Sequence, residues 1–468
     1  MDHTYWKKLV EENKDELIGK TQELLRIKSV LDEENATETA PLGEGIKEAL
    51  DYMLNLGESD GFSVKNVDSL AGHIEMGEGE EIVGILCHLD VVPEGDGWSS
   101  DPFGADIREG KIFARGAIDD KGPTMAAYYA MKLVNASGIP LSKRVRMILG
   151  TDEESNWRCV ERYFEVEEMP ALGFAPDADF PIIYAEKGIW DFYVQQKVTE
   201  TMEDGEVNVV HFESGRRFNM VPDFAKTIVS GDLNTIETKF QEYIKEHGVE
   251  GKVYQEDNQV VIEVKGISAH GMEPKKGKNA GIYLGSFLSK LSLDQQAMKF
   301  FTFIHEYLLE ESRGKKLGIT FTDDITGDLT VNAGTFQYSR EHGGKIGLNV
   351  RYPVTYQWNE NEMNLKNKLQ DLEMEMATVS HSKPHHVEKD SFLIKTLSKV
   401  YEEQTGDKTE LLSIGGGTYA RSLQAGVAFG PLFPGREDIA HQKDEYIYID
   451  DLLKATAIYA QAIFELAK

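Results

Sequence analysis

Two apolar runs that end in ionisable side chains constrain the fold of this chain more than any other feature. The runs 82–89 and 144–150 are rich in Val, Ile, Leu and Met, which is typical of strands buried on both faces of a sheet. The first run ends at His88 and Asp90, and the acidic sequence 152–154 follows the second. Because open α/β sheets collect reactive groups at the carboxyl ends of their strands, we expect these side chains to share one site.

The order of strand-like and helix-like segments predicts two domains. Residues 1–186 and 380–468 alternate between the two types, which favours an α/β domain with a mostly parallel sheet built from both chain ends. Residues 187–379 contain strands and helices without a repeating unit, which favours an inserted α+β domain with two subdomains. An insert hinged over the strand ends could close on a substrate as a lid.

Periodicity also predicts individual elements. Apolar residues at helical spacing indicate helices over 4–27, 43–56 and 360–376, and Gly57 is interpreted as the stop signal of the second. The segment 253–264 is interpreted as one strand.

Charge and cysteine content exclude several classes of protein. Fifty Lys and Arg against eighty Asp and Glu leave a formal charge of −30, which argues against binding to nucleic acid or anionic lipid. The two cysteines, Cys87 and Cys159, provide neither a disulfide framework nor a thiolate metal site, which suits a reducing compartment. The N-terminal residues lack an apolar signal core and no stretch is long enough to span a membrane, so a cytoplasmic protein is expected.

The candidate site is a set of imidazoles and carboxylates, namely His88, Asp90, Asp119, Glu153, Glu154, Asp177 and His441. Such a set without thiols suits Zn²⁺ or a harder ion such as Mn²⁺. Asp90 lies on the same side of an extended chain as His88 and could accept its second N–H. Of Glu153 and Glu154, one could bind metal and the other could take a proton from water. The residues alone leave open a one-metal site, a two-metal site and a solvated acidic loop.

The motifs together resemble those of the M20 metallopeptidases. The matching sequences occur in family order over essentially the whole chain and read HLDVVP, ARGAIDDKGP, GTDEES, PDADFP, SAHG, NVRYP and DIAHQKDE. The resemblance is closest to the PepV-type dipeptidases of low-GC Gram-positive bacteria. It implies a zinc-peptidase-like catalytic α/β domain with an inserted lid, and two bound divalent metal ions, with Zn²⁺ expected first and Mn²⁺ as the alternative.

The resemblance also implies a role for each member of the candidate set. These roles are Asp119 as the carboxylate shared by both metals, His88 and Asp177 on one metal, Glu154 and His441 on the other, Asp90 orienting His88, and Glu153 as the general base. A cis peptide bond between Asp119 and Asp120 is a further feature that the family often has.

Five positions in other motifs resemble the family's substrate-contacting residues. His270 resembles the group that stabilises the tetrahedral oxyanion. Asn219 and Arg351 resemble the groups that hold the substrate carboxylate, which arginine can bind through two parallel N–H bonds. The turn at Gly415 and Gly416 resembles a loop whose backbone lies against the substrate.

The resemblance therefore implies a dipeptidase that cleaves dipeptides with a free amino terminus through metal-activated water, with Glu153 as general base. One alternative is an N-acyl-amino-acid deacylase of the same architecture. Another is a non-catalytic metal-dependent binding protein, although such a protein has no need for a base beside its ligands. Because the insert contains two helix-and-strand sets, the second could stand where a partner's lid stands in dimeric relatives, so an active monomer is expected.

Overall fold

The computed structural model describes residues 3–198 and 205–468, which form two compact units. The first unit comprises the residues up to Tyr184 together with His386–Leu412 and Thr418–Lys468. The second unit comprises Ala185–His385 and Ser413–Gly417.

The α-helices of the described ranges are α1 (His3–Glu12), α2 (Lys14–Leu25), α3 (Glu44–Ser59), α4 (Lys121–Ala136), α5 (Arg158–Val166), α6 (Leu233–His247), α7 (Ala280–Leu288), α8 (Gln295–Phe303), α9 (Trp358–Asp371), α10 (Phe392–Thr405) and α11 (Ile449–Ala467). Among these helices, none combines the length and the apolar character that crossing a bilayer requires.

The strands of the same ranges are β1 (Ser63–Val67), β2 (Ala71–Met76), β3 (Ile82–His88), β4 (Asp106–Arg108), β5 (Lys111–Phe113), β6 (Arg144–Gly150), β7 (Leu172–Ala175), β8 (Ala178–Asp179), β9 (Ile182–Glu186), β10 (Gly188–Gln196), β11 (Asn208–Ser214), β12 (Phe224–Ser230), β13 (Glu250–Glu256), β14 (Gln259–Lys265), β15 (Thr322–Asp323), β16 (Gly327–Asp328), β17 (Thr330–Ser339), β18 (Gly343–Tyr352), β19 (Met374–Ser382), β20 (His385–His386), β21 (Leu411–Ile414), β22 (Gly426–Ala428), β23 (Pro431–Leu432) and β24 (Tyr446–Tyr448).

A mixed sheet with a parallel centre organises the first unit. Its strand order is β1-β2-β6-β3-β7-β22-β9-β20, and β21 also pairs with β9. The central strands β6, β3, β7 and β22 run parallel, whereas β1, β2 and β9 pair antiparallel with their neighbours. Every residue of β3 is buried, because helices such as α4 and α11 pack on this sheet and on each other.

A second, antiparallel sheet organises the second unit. Its order is β13-β14-β12-β11-β17-β18-β10-β19, so β11 and β17 join two four-stranded halves. Their register pairs His211 with Ser339 and Ser214 with Phe336. The core continues across this junction, because the ring of Phe212 lies 5.3 Å from that of Phe301. The predicted fold class, a mostly parallel α/β domain with a separate α+β domain, is confirmed.

Local side-chain contacts change two of the predicted helices. The helix predicted over 4–27 is divided into α1 and α2 at Asn13, whose side-chain amide donates to the carbonyl of Leu9 and competes with the helical hydrogen bonds. The predicted stop at Gly57 was wrong. Gly57 lies inside α3, where an added Cβ would come within 3.0 Å of the Ile74 side chain, so glycine permits close packing there.

Two predicted elements of the second unit also differ. The strand predicted over 253–264 is the hairpin β13–β14, which turns at Asp257 and Asn258, both with positive φ. The helix predicted over 360–376 ends at Asp371, and the residues that follow form β19. Strand β19 pairs with β10, almost 180 residues earlier, and this distant pairing outweighs local helical periodicity.

Candidate metal centre

Three parallel strands bring four of the predicted site residues to one edge of the first sheet. His88 ends β3 and lies opposite Gly150, the last residue of β6. Glu153 and Glu154 follow β6, and Asp177 follows β7, which pairs with β3 on the other side. Because parallel strands share the edge at which they end, these side chains meet although about 90 residues separate them.

Asp119 lies between two imidazoles. One of its carboxylate oxygens is 3.0 Å from Nε2 of His88, and the other is 3.0 Å from Nε2 of His441. The peptide bond that follows, Asp119–Asp120, is cis. The carboxylate of Asp120 accepts a hydrogen bond from the backbone N–H of His88 over 3.1 Å, which ties the Asp119 loop to the end of β3.

The ligand atoms form two adjacent groups. In the first, atoms of His88, Glu153 and Asp177 lie within 4.8 Å of one another. In the second, the same limit holds for Asp119, Glu154 and His441, and the Glu154 carboxylate is 3.0 Å from Nε2 of His441. Six of the seven predicted residues therefore lie together in the first unit, while their division into ligands and base stays a prediction.

Asp90 acts through both its carbonyl and its carboxylate. Nδ1 of His88 lies 3.0 Å from the Asp90 carbonyl oxygen and 3.6 Å from its carboxylate, so the closer acceptor is the backbone and not the predicted side chain. The carboxylate accepts the backbone N–H groups of Glu153 and Glu154, at 3.2 and 3.0 Å. Asp90 thus ties the end of β3 to the acidic turn after β6.

The surroundings of the His88 ring suit a metal ligand. Its Nδ1 faces an acceptor, so in the neutral ring the proton belongs there and Nε2 presents a lone pair. Among the residues that the structure describes, Nε2 is buried without a hydrogen-bond partner, although Asp119 and Asp177 oxygens lie 3.0 and 3.5 Å away. A lone pair surrounded by carboxylates is stabilised by a bound cation.

The electrostatics of the cluster also favour added positive charge. Burial, followed by repulsion from Asp177, raises the pKa of Glu153 well above its usual range, and burial likewise raises the pKa of Asp177 and Glu154. Hydrogen bonds to Asp119 and Glu154 raise the pKa of His441 to about 11. These directions reflect an excess of buried negative charge, which a divalent cation would offset. The donor set, imidazole and carboxylate oxygen without thiolate, fits Zn²⁺ or Mn²⁺.

In the second unit, the structure brings Arg351 and Gly415 together. The Arg351 side chain is buried, with Nε donating to Asn349 Oδ1 over 2.9 Å and Nη1 to the Gly415 carbonyl over 3.2 Å. An added Cβ at Gly415 would meet Met272 at 3.0 Å, whereas one at Gly416 would meet only Ile414, at 3.9 Å. The guanidinium is therefore oriented from two sides.

Backbone contacts place Asn219 beside the loop that carries His270. The N–H of Gly271 donates to the Asn219 carbonyl over 2.7 Å, and Met220 forms an isolated antiparallel bridge with His270. Two other predicted substrate-contacting positions therefore border the loop that carries His270. Asn219 bonds to Gly271 of this loop, and Gly415 lies beside Met272.

Sequence reasoning missed a buried ion pair next to the cluster. Glu445 and Arg115 are fully buried, and Glu445 accepts backbone N–H groups of the Asp119 loop. Burial, followed by the charge of Asp119, raises the pKa of Glu445 to about 7. Both residues lie in motifs noted above, but nothing in the sequence indicates that positions 330 residues apart are paired.

A family model, two similar proteins and a solved structure each match most or nearly all of this chain. The sequence model of a protein family described as "Peptidase family M20/M25/M40" matches residues 84–465. The chain is 54% identical over 464 residues to "Putative dipeptidase YtjP" of Bacillus subtilis, covering 99% of this chain and 100% of that protein. It is 46% identical over 464 residues to a "Putative dipeptidase" of Staphylococcus epidermidis, covering 98% and 99%. The crystal structure of aminoacylhistidine dipeptidase from Vibrio alginolyticus superposes with a TM-score of 0.58 at 12% identity, covering 96% of each chain.

Proposed function

Since the chain belongs to peptidase family M20/M25/M40, we propose that it hydrolyses the peptide bond of dipeptides with a free amino terminus. Family membership makes it an enzyme, a hydrolase of peptide bonds. The dipeptide preference is supported by its similarity to proteins named as dipeptidases over nearly their full length. The observation that carries the proposal is the position of Asp119 between the His88 and His441 imidazoles, one carboxylate oxygen on each.

We assign two divalent ions to this site, Zn²⁺ first and Mn²⁺ as the alternative. His88 and Asp177 would hold one ion, Glu154 and His441 the other, and Asp119 both. When bound, such ions polarise a substrate carbonyl and lower the pKa of water.

Glu153 is the proposed general base. Its role is to take a proton from the attacking water and to deliver it to the leaving amine. Two hydrogen bonds hold the backbone of Glu153. Its N–H donates to the Asp90 carboxylate, and its carbonyl accepts from Trp157 Nε1 over 2.7 Å. A fixed backbone limits where the carboxylate can lie, which suits proton transfer over one hydrogen-bond length.

The second unit supplies the proposed substrate contacts. Arg351 and Asn219 would bind the substrate carboxylate, the Gly415–Gly416 backbone would lie along the substrate, and His270 would stabilise the oxyanion. This assignment treats residues 1–186 and 380–468 as the catalytic domain and 187–379 as the lid, with Gly415 and Gly416 grouped by their contacts with the second unit. The hydrogen bonds from Arg351 to Asn349 and Gly415 support the proposed role of Arg351, because they orient the guanidinium before a substrate binds.

The PepV-type subtype, a monomeric state and a cytoplasmic location are part of the same proposal. Two half-sheets joined within one chain through β11 and β17 support the first two. Two free, buried cysteines are compatible with a reducing compartment.

Hydrolysis of Ala-Ala compared with N-acetyl-Ala-Ala tests the substrate class. Protein purified without chelator and reconstituted with Zn²⁺ or Mn²⁺ should release alanine from the free dipeptide only. Preference for the acetylated substrate would instead identify a deacylase, and metal-loaded protein inert towards a broad dipeptide panel would favour a binding protein. A Glu153→Gln preparation made in the same way controls for contaminating peptidases.

A further inference from the structure

A buried ion pair ties together the two loops that carry Asp119 and His441. Arg115 and Glu445 are 1% and 0% exposed, and Arg115 Nη1 lies 2.5 Å from Glu445 Oε2. Removing one partner from such a pair leaves an uncompensated buried charge, so the pair has to be kept or lost together.

The second oxygen of Glu445 fixes the backbone at Asp119. Oε1 accepts the N–H of Ile118 over 3.0 Å and the N–H of Asp119 over 3.3 Å. These bonds hold the peptide units immediately before the Asp119 side chain, which points its two oxygens at His88 and His441. A shift of this peptide would move the carboxylate directly.

Arg115 fixes the backbone at His441. Its Nη1 donates to the Gln442 carbonyl over 3.2 Å, and its Nη2 donates to the carbonyls of His441 and Glu94, at 3.3 and 3.2 Å. The guanidinium also lies 5.2 Å from the Trp98 ring centroid. His441 has a φ of +65°, a conformation that costs energy for a residue other than glycine and persists where contacts enforce it.

The two candidate groups depend on this pair to different degrees. Asp119 and His441 both belong to the group completed by Glu154. The His88 ring is held by other contacts, with Nδ1 on the Asp90 carbonyl and the backbone N–H on Asp120. A change in the ion pair should therefore affect one metal position more than the other.

We propose that Arg115 and Glu445 are positioning residues that set the affinity of the Asp119, Glu154 and His441 group for its cation. Among the described residues, neither member of the pair belongs to the two candidate groups of ligands. The pair acts by holding the peptide units from which two of the three ligands project. This proposal rests on the two-metal function proposed above.

Arg115→Lys tests the proposal with the charge retained. Lysine can pair with Glu445 but lacks the planar fork that reaches the carbonyls of His441, Gln442 and Glu94. Competition with a chromophoric chelator should show one of the two Zn²⁺ ions bound about 10–100-fold more weakly, as is typical when an outer partner of a ligand is lost, and the other changed by less than about threefold.

Arg146→Lys is the matched control. Arg146 is also buried in the first unit, and within the described part of the chain its side chain bonds to Glu75 and Tyr163 and not to a ligand-bearing loop. Its Zn²⁺ affinities should equal those of the wild type. Equal weakening in the two variants would overturn the proposal.

A His441→Ala background identifies the affected position. This variant should retain one tightly bound ion, and adding Arg115→Lys should leave the affinity for that ion unchanged. A further loss of affinity in the double variant would overturn the proposal, because the pair would then act on the His88 group as well.

Glu445→Asp tests the other member of the pair, and thermal unfolding separates a loss of metal affinity from a loss of stability. Glu445→Asp retains the charge but is too short to reach both Arg115 and the Asp119 loop. Because Asp119 is assigned to both ions, this variant should weaken the binding of both, and that of the ion in the Asp119, Glu154 and His441 group more strongly. Thermal unfolding of each metal-free variant should match the wild type within a few degrees. If wild-type protein bound fewer than two ions, the proposed function would fail, whereas unchanged affinities in both variants of a two-ion enzyme would overturn the positioning role alone.

Discussion

The backbone N–H of Met272 donates a hydrogen bond to Nδ1 of His270 over 3.1 Å. An imidazole that accepts at Nδ1 while neutral carries its proton on Nε2. Burial, followed by the positive charge of Arg351, lowers the pKa of His270 and so favours the neutral ring. The loop thus presents His270 as a neutral hydrogen-bond donor, which is the form that the proposed oxyanion contact needs.

His270→Ala is expected to lower kcat by about 10²–10³-fold, since one preformed donor to the oxyanion is lost. His270→Gln should retain more activity, because its side-chain amide can place an N–H near the position of Nε2. Steady-state kinetics on Ala-Ala would measure both. An equally small effect of the two substitutions would remove His270 from the reaction.

Glu153→Ala should remove most turnover, by about 10²–10⁴-fold, and leave the metal content nearly intact. Glu153 could also be a ligand, because its carboxylate lies within 4.8 Å of the ligand atoms of His88 and Asp177. Elemental analysis of the purified variant decides the matter. Loss of one metal from folded protein would mean that Glu153 is a ligand and that the roles of the two glutamates are exchanged.

Arg351→Met should raise KM for dipeptides and leave the metal content unchanged. Loss of a charge-assisted contact costs about 1.5–3 kcal/mol, which corresponds to roughly 10–100-fold in kcat/KM. A dipeptide amide serves as the control substrate, since it lacks the carboxylate and should be nearly indifferent to the substitution. Equal losses on the acid and the amide would contradict carboxylate binding by Arg351.

His73 predicts an acid-sensitive step in stability. The ring is buried in β2, with Nδ1 2.7 Å from the Tyr163 hydroxyl, and burial followed by the charge of Arg146 lowers its pKa from 6.5 to about 4. Between these values the unfolded chain binds a proton that the folded chain does not. The unfolding free energy should therefore fall as pH falls from 6.5 to 4, by on the order of 1–3 kcal/mol.

His73→Asn provides the comparison for this pH effect, because asparagine keeps a polar group near the Tyr163 hydroxyl and does not titrate. Thermal unfolding midpoints of wild type and variant should converge as the pH falls from 6.5 towards 4. Parallel curves over this range would show that His73 does not contribute.

The chain should be an active monomer. Because β17 covers the edge of β11 within the same sheet, the first half-sheet needs no second copy to pair with it. Light scattering at assay concentration should give about the chain mass of 52.5 kDa. Mixing inactive His270→Ala with inactive Glu153→Ala should restore no activity, and complementation within a stable dimer would refute the prediction.

The parts of the site that could be predicted are those fixed by strand ends. The positions of His88, Glu153 and Asp177 follow from buried parallel strands, whose carboxyl ends share an edge whatever the intervening sequence. Strand β19 could not be predicted, because its partner β10 is distant in sequence and its first three residues continue the helical pattern of the segment before it. The Arg115 and Glu445 pair was missed for the same reason, as long-range pairing of charges leaves no local pattern.

The position of β22 in the first sheet has a consequence for synthesis. This strand lies between β7 and β9, yet about 240 residues of chain separate it from the end of β9. At about 5–20 residues per second, a ribosome would need on the order of 10–50 seconds to supply it. During that interval the second sheet can be completed, because its strands β10 to β19 are contiguous in the chain. The edge of β7 that later pairs with β22 remains unpaired over the same time, and other nascent chains could associate with it.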